Sequence, residues 1–141
     1  MRFRLVTPER VLFDEEAASV TLPTSEGEIT ILPGHATLAA LLKAGIVKLK
    51  HMESHETDVA VSAGFINIDK DVVTALADTA ERGEELDLSV IEEAKRRAEE
   101  LMKNTSRRDD VAFASAAAGL ERELARYRVA TTHRKRYAGT K

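Results

Sequence analysis

The hydrophobic period of this chain changes once, near residues 84–87, and the change restricts it to two structural units in series. Before that point the apolar residues come in short runs: Phe3 and Leu5, Val11 and Phe13, Val20 and Leu22, Ile29 and Ile31, Ile46, Val47 and Leu49, Val59, Ala60 and Val61, Phe65, Ile66 and Ile68, then Val72, Val73 and Leu76. Alternate side chains of a strand share a face, so these runs predict half-buried strands. Thr7-Pro8-Glu9-Arg10 and Asp14-Glu15-Glu16 separate the first runs and predict antiparallel hairpins. Leu38-Ala39-Ala40-Leu41-Leu42 fits one helical turn or a buried strand equally well, with Gly45 as its end. So many short strands in about 85 residues, with both faces in need of cover, predict a small antiparallel β-sandwich over residues 1–85.

Beyond the change, the period is helical. Ser89-Val90-Ile91-Glu92 has the form of a capping box and predicts a helix start. Val90, Ala94, Ala98, Leu101 and Met102 would form its packing stripe, with i to i+4 charge pairs such as Glu92 with Arg96 and Glu99 with Lys103 on the remainder. Asn104-Thr105-Ser106 breaks the pattern. A second helix from about Asp109 carries Phe113, Ala117, Leu120, Leu124 and Tyr127 at steps of four, three, four and three, the seam of a helix packed lengthwise on another. Residues 86–141 are therefore expected to form a two-helix antiparallel hairpin with a basic tail. The small residues at 114–119 permit close approach and little apolar burial per residue, which predicts weak docking.

Composition narrows the chemistry. With no cysteine, the chain has no disulfide, thiolate metal site or catalytic thiol. No apolar run reaches the roughly 18 residues of a membrane span, and no signal-peptide core follows Met1-Arg2-Phe3-Arg4, so a soluble, cytoplasmic chain is expected. The net charge of −3 conceals a gradient: residues 1–119 hold 14 basic and 22 acidic side chains, and residues 120–141 hold seven and two. A basic C-terminus suits an acidic surface on a protein or a nucleic acid, or is a solvated tail. Arg122 and Arg126, four apart, share a helix face, and Arg128 extends the charge toward Arg134-Lys135-Arg136. Only six Phe and Tyr are present, mostly at core-like positions, which favours a protein partner over nucleic acid.

Catalytic patterns are thin. Gly27 and Gly34 lack the Gly-Lys-Ser/Thr ending of a phosphate-binding loop. Ser19 and Ser62 sit in alternating strands without a base, so no intrinsic enzyme activity, cofactor or catalytic residue is expected. His51-Met52-Glu53-Ser54-His55 is the one metal-like cluster. It has Met52 where a zinc-protease motif has glutamate, and it falls at a hairpin tip, so a polar turn is expected there.

One stretch is distinctive, Ser25-Glu26-Gly27-Glu28-Ile29-Thr30-Ile31-Leu32-Pro33-Gly34-His35-Ala36. Leu32-Pro33-Gly34-His35 predicts a type II turn, with proline fixing one inner φ and glycine accepting the positive φ of the next. With Leu38, Leu41-Leu42 and Lys43-Ala44-Gly45 after it, and Ala75-Leu76-Ala77-Asp78-Thr79-Ala80-Glu81-Arg82-Gly83 downstream, this stretch resembles the epsilon subunit family of the bacterial F-type ATP synthase. Together with the helical tail, the resemblance covers nearly the whole chain.

The resemblance implies a non-catalytic rotor subunit of the central stalk in a proton-translocating ATP synthase, peripheral on the cytoplasmic face of the inner membrane. Its sandwich would bind the gamma subunit and the c-ring, with Glu28, Gly34 and His35 at that interface; His35 also fits a plain hydrogen-bonding brace. Its hairpin would fold against the sandwich or extend into the catalytic hexamer of α and β subunits. There Arg122, Arg126 and Arg128 would meet acidic residues and block ATP hydrolysis. Some members bind ATP at the hairpin through Leu-Asp or Ile-Asp, two residues, then Arg-Ala; here Leu86-Asp87-Leu88-Ser89 leads to Val90-Ile91, so the arginine is missing. An offset pattern through Ile91-Glu92 and Lys95 is displaced by five positions. The competing interpretation is an adaptor sandwich whose basic tail binds an acidic protein or nucleic acid outside ATP synthesis.

Overall fold

A computed structural model describes residues 1–138, with side chains described through Lys135. The first unit has nine strands: β1 (Arg2–Val6), β2 (Val11–Thr24), β3 (Gly27–Ile31), β4 (Leu38–Leu42), β5 (Gly45–His51), β6 (Glu56–Val61), β7 (Gly64–Asp69), β8 (Val72–Ala77) and β9 (Ala80–Arg82). A 3-10 turn at Gly83–Glu85 leads to α1 (Leu88–Asn104) and α2 (Asp110–Ala138).

The pairings divide the strands into two layers that share β2. One layer runs β3, β2, β5, β6, β9, and the other runs β2, β1, β8, β7, β4. The single pair Thr24 with Leu42 brings β4 back to the end of β2 and closes the second layer on itself. Inward residues of both layers form one core, including Phe3, Leu5, Val20, Leu22, Ile31, Val47, Leu49, Val59, Ile66, Ile68 and Val73. The predicted sandwich is present, with one pair of a different kind: β1 and β8 run parallel, Arg2 beside Val72 through Val6 beside Leu76. Parallel neighbours need a long crossover, and β2 to β7 provide it.

Asp14-Glu15-Glu16 is not the break expected from its charge. It lies inside the 14-residue β2, opposite the exposed basic positions of β1, with Arg4 facing Asp14 and Arg2 facing Glu16. Arg2 Nε donates to Asp14 Oδ1 at 2.7 Å, and this bond holds the Asp14 carboxyl below its ordinary range. Opposite charges paired across strands replace the turn signal. Residues 38–42 resolve as a strand whose alternation buries Leu42 and exposes Leu41. At residues 32–35 the expected turn forms, with Gly34 at φ +83° and the His35 amide donating to Leu32 O at 3.2 Å.

The first helix starts two residues earlier than the capping box predicts. Asp87 is the N-cap, accepting from the Ser89 amide at 3.0 Å and the Ser89 hydroxyl at 2.8 Å, which leaves Ser89 no role as cap acceptor. A carboxylate at the positive end of the helix outcompetes a neutral hydroxyl. The stripe shifts with it: Ile91 is buried, Ala94, Ala98 and Met102 are half-buried, and Val90 and Leu101 face solvent. The i to i+4 ion pairs are Glu93 with Arg97 and Lys95 with Glu99 instead of the expected two. Asp109 caps α2 by accepting from the Ala112 amide at 3.1 Å.

Gly64 marks a close backbone approach in the sandwich. A Cβ there would lie 1.8 Å from Leu76 O, inside the β7–β8 ladder. Gly64→Ala is expected to cost about 3 kcal/mol or more, because the obstacle is main chain that cannot rotate away. Urea unfolding of the variant would show a midpoint lowered in proportion; an unchanged midpoint would mean the strands separate freely.

Candidate functional site: the seat of the helical hairpin

The outer face of the first layer carries α2. Ala125 and Val129 of the helix pack on Ala60 of β6, with Ile46 of β5 and Leu86 against the same cluster. Ile46 and Ala60 are cross-strand partners, so the seat is two side chains wide. All the buried members but Val129 are alanines, which gives little apolar area. The expected seam residues Phe113, Ala117, Leu120, Leu124 and Tyr127 are half-buried, and α2 packs on α1 as a hairpin. At 29 residues and about 1.5 Å per residue, α2 is roughly 43 Å long against about 25 Å for the 17 residues of α1. The second half of α2, from Glu121 to His133, is the part that sits on the sandwich and the 3-10 turn.

Polar contacts flank the apolar seat on both sides. On one, Arg126 points its fork at Glu81 of β9, with Nε 3.0 Å from Oε1 and Nη2 donating to Oε2 at 3.0 Å. Its Nη1 donates at 2.8 Å to Glu123, a buried carboxylate one turn back in the same helix. Burial lowers the Arg126 pKa, but the Glu81 hydrogen bond and the charges of Glu81 and Glu123 outweigh it, and the net shift is upward. Arg122 Nη2 reaches the other oxygen of Glu123 at 3.3 Å. On the opposite side, Lys43 of the β4–β5 turn lies 3.5 Å from Glu121.

The expected hairpin arginines thus have three different environments. Arg126 is held by the sandwich, Arg122 leans on Glu123 while half its surface stays open, and Arg128 is exposed along a groove of about 560 Å³. That groove also holds Glu28, Lys43, Lys48 and Glu121. Glu28 therefore lies beside the hairpin, while Gly34 and His35 lie beyond the other end of β3. There the Gly34 amide donates to Asp71 Oδ1 at 3.0 Å, and His35 Nδ1 is 2.7 Å from Ala36 O. Both Gly34 and His35 are exposed. Of the tail, residues 139–141 lie outside the described residues, and Arg134 and Lys135 are exposed.

The 3-10 turn joining the two units is fixed from below. Arg10 grips Glu85 at 2.9 and 2.5 Å and donates to Ala80 O at 3.1 Å. Arg82 donates to Leu12 O and covers the Phe13 ring at 4.6 Å. Glu81 stands in the stretch 75–83 that carries the resemblance, but nothing in the sequence assigned a role to it, to Glu123 or to Arg10, because surface-type charges become a latch only when the chain brings them together. At the β5–β6 tip, His51 Nδ1 is 2.7 Å from Glu15, its Nε2 is 2.8 Å from Thr57 Oγ1, and its ring stacks on His55 at 3.9 Å. Among the described residues, no three His, Asp or Glu side chains are grouped to hold a metal ion.

A second exposed surface lies on the other layer. Leu41, Phe65 and Leu76 are directly paired across β4, β7 and β8, and Leu76 pairs on to Val6, itself opposite Val11. Leu41, Phe65, Leu76 and Val11 are 53%, 63%, 49% and 55% exposed, so this is a continuous apolar row open to solvent.

Two outcomes follow from the latch. Glu81→Gln removes a charge-assisted contact worth about 1.5 kcal/mol, so trypsin cleavage after Arg126 is expected to rise about tenfold, read by mass spectrometry. Equal rates would mean that Glu81 carries no docking energy. The Arg10 hydrogen bond holds the Glu85 carboxyl below its ordinary value of 4.5. A depressed carboxyl stabilises the fold above that ordinary value and loses the contribution as pH falls through its folded value. Glu85→Gln should accordingly flatten the fall in unfolding free energy on acidification below about pH 4.5; an unaltered slope would assign the acid sensitivity elsewhere.

Comparison with known proteins agrees with this geometry. Residues 1–83 match the family model described as ATP synthase, Delta/Epsilon chain, beta-sandwich domain. The chain is 43% identical over 130 residues to the ATP synthase epsilon chain of Moorella thermoacetica, covering 92% of this chain and 96% of that one. It is 42% identical over 135 residues to that of Dehalococcoides mccartyi, covering 96% and 95%. In fold it is similar to a chain in the OSCP/F1/c-ring structure of the Euglena gracilis mitochondrial ATP synthase, with TM-score 0.72 and 23% identity over 84% of this chain and 74% of that one. A chain in the central stalk/c-ring structure of the Tetrahymena thermophila enzyme has TM-score 0.57 and 17% identity over 94% and 95%. With matches of this identity spanning nearly its full length, the chain belongs to the ATP synthase epsilon chain family.

Proposed function

We propose that this chain is a non-catalytic rotor subunit of a proton-translocating F-type ATP synthase, and that its hairpin is a brake on ATP hydrolysis. The observation that carries the reading is the use of two opposite faces. The hairpin occupies one layer of the sandwich through a small, mixed apolar and ionic seat. The Leu41, Phe65 and Leu76 row on the other layer stays open. Contiguous exposed apolar surface marks an interaction site, and we assign it to the gamma subunit. A subunit held through that face keeps its grip on the shaft whether the hairpin is docked or released.

In this reading Gly34 and His35, exposed at the turn end of the sandwich, meet the polar loops of the c-ring. Glu28, beside Arg128 in the groove, belongs to the ring contact only after the hairpin has left. Release exposes Arg126, and with Arg122 and Arg128 it offers a basic strip to acidic residues of the catalytic hexamer. The docked and released forms constitute a two-state element, and contacts favouring either one shift the population. No bond-making step is assigned to this chain, and its place on the membrane is indirect, through the complex.

The test is ATP hydrolysis by the cognate α, β and gamma assembly with the full chain or with a chain ending at Leu86. Inhibition by the first and relief with the second, both still bound to gamma, is the expected result. Phe65→Glu, which places a charge in the apolar row, should weaken gamma binding at least tenfold and abolish inhibition while circular dichroism stays unchanged. Binding of both chains with inhibition by neither would remove the brake, and gamma binding unaffected by Phe65→Glu would move the shaft contact to another face.

A further inference from the structure

We infer that Gly83 is a steric keyhole for the hairpin, and that the absence of a side chain at this position sets the balance between docked and released forms. The inference rests on the two-state reading above and concerns what holds the docked state in place. Gly83 is buried in the 3-10 turn, where α2 crosses over it. A Cβ added there would lie 2.6 Å from Cβ of His133 and 2.9 Å from its Cγ, well inside the 3.5–4.0 Å of a normal carbon contact. The positive-φ glycines of the described chain are Gly27 and Gly34, so the backbone at Gly83 accepts any L-residue. Glycine is required by proximity and not by conformation.

The clash cannot be relieved from the sandwich side. Arg82, one residue before, is tied to Leu12 O and laid on the Phe13 ring, and Glu85, two residues after, is gripped by Arg10. The turn is clamped on both sides of Gly83. On the helix side the obstacle is the base of the His133 side chain, and a change of rotamer leaves Cβ where it is. A side chain at position 83 therefore forces α2 outward at His133, one turn beyond Val129 and two turns beyond Arg126, and lifts both from their seats on Ala60 and Glu81. Once the hairpin is released, position 83 meets no helix, so the same side chain costs nothing. The substitution acts on one state of the switch alone.

The chain has no cysteine, so a single Ala60→Cys thiol, beneath Ala125 and Val129, reports whether α2 is seated. The experiment compares the rate at which a chromogenic disulfide reagent labels this thiol in the full-length chain alone, then with Gly83→Ala, with His133→Gly, and with both. Gly83→Ala is expected to raise the rate about tenfold, a shift of about 1.4 kcal/mol, and adding His133→Gly, which removes the obstructing Cβ, should bring it back down, a non-additive cycle. His133→Ala keeps that Cβ and should not rescue. An unchanged rate, or a rise that His133→Gly fails to reverse, overturns the keyhole. ATP hydrolysis separates this from the brake itself: reversible opening by Gly83→Ala without stronger inhibition of the cognate assembly would keep the keyhole and discard the brake.

Discussion

Fourteen consecutive residues, Val11–Thr24, take part in both layers of the sandwich, and the rest of the molecule is arranged around that shared strand. Its first half pairs with β1 and its second with β3 and β5, so the two sheets are joined covalently through this strand. A domain of about 85 residues hides only about 60 to 65% of its unfolded surface. Sharing a strand lets the inward residues of all nine strands contribute to one core. What remains are two outer faces, each with unmet apolar surface, and the two halves of the proposed mechanism are the two ways in which these faces are covered.

The face that takes the hairpin suits the reversible contact proposed for it. Alanines and one valine supply close packing with little buried area, and the ion pairs are partly open to water, where each is worth on the order of 1 kcal/mol. Glu123 adds a second feature. It binds Arg126 and Arg122 from within the helix, so Arg126 keeps a carboxylate partner when Glu81 is withdrawn. Undocking thus never leaves a buried guanidinium without a counter-charge, which would be the costly step. The Leu41, Phe65 and Leu76 row on the other face offers larger apolar side chains open to solvent, as suits the lasting contact proposed for it.

Much of this architecture was legible from local pattern. Strand alternation placed Phe3, Leu5, Val20, Leu22, Val47, Leu49, Ile66 and Ile68 in the core, although Val11 and Phe65 of the same runs face solvent, and Pro33-Gly34 announced its turn, because period and φ preference act over a few neighbouring residues. Local signals misled where a longer-range partner changed their meaning. Asp14-Glu15-Glu16 looked like a break until Arg2 and Arg4 lay across from it, and Ser89 looked like a cap until Asp87 took the helix end. The family was readable from two short stretches, one of which contains Glu81, whereas the Arg126–Glu81 latch was not, since 45 residues separate its members and no local pattern pairs them.

The sequence by itself determined two units, strands then helices, with a basic, alanine-rich second helix that offers little apolar area. These properties belong to each segment alone: spacing, small side chains and charge. Only the tertiary structure decided that β1 and β8 run parallel, that Arg126 is spent on Glu81 while Arg128 is not, that Glu28 keeps company with the hairpin and not with His35, and that Gly83 sits under His133. Each of these is a distance between residues remote in sequence, and such distances exist only after the chain has closed its core and laid α2 across it.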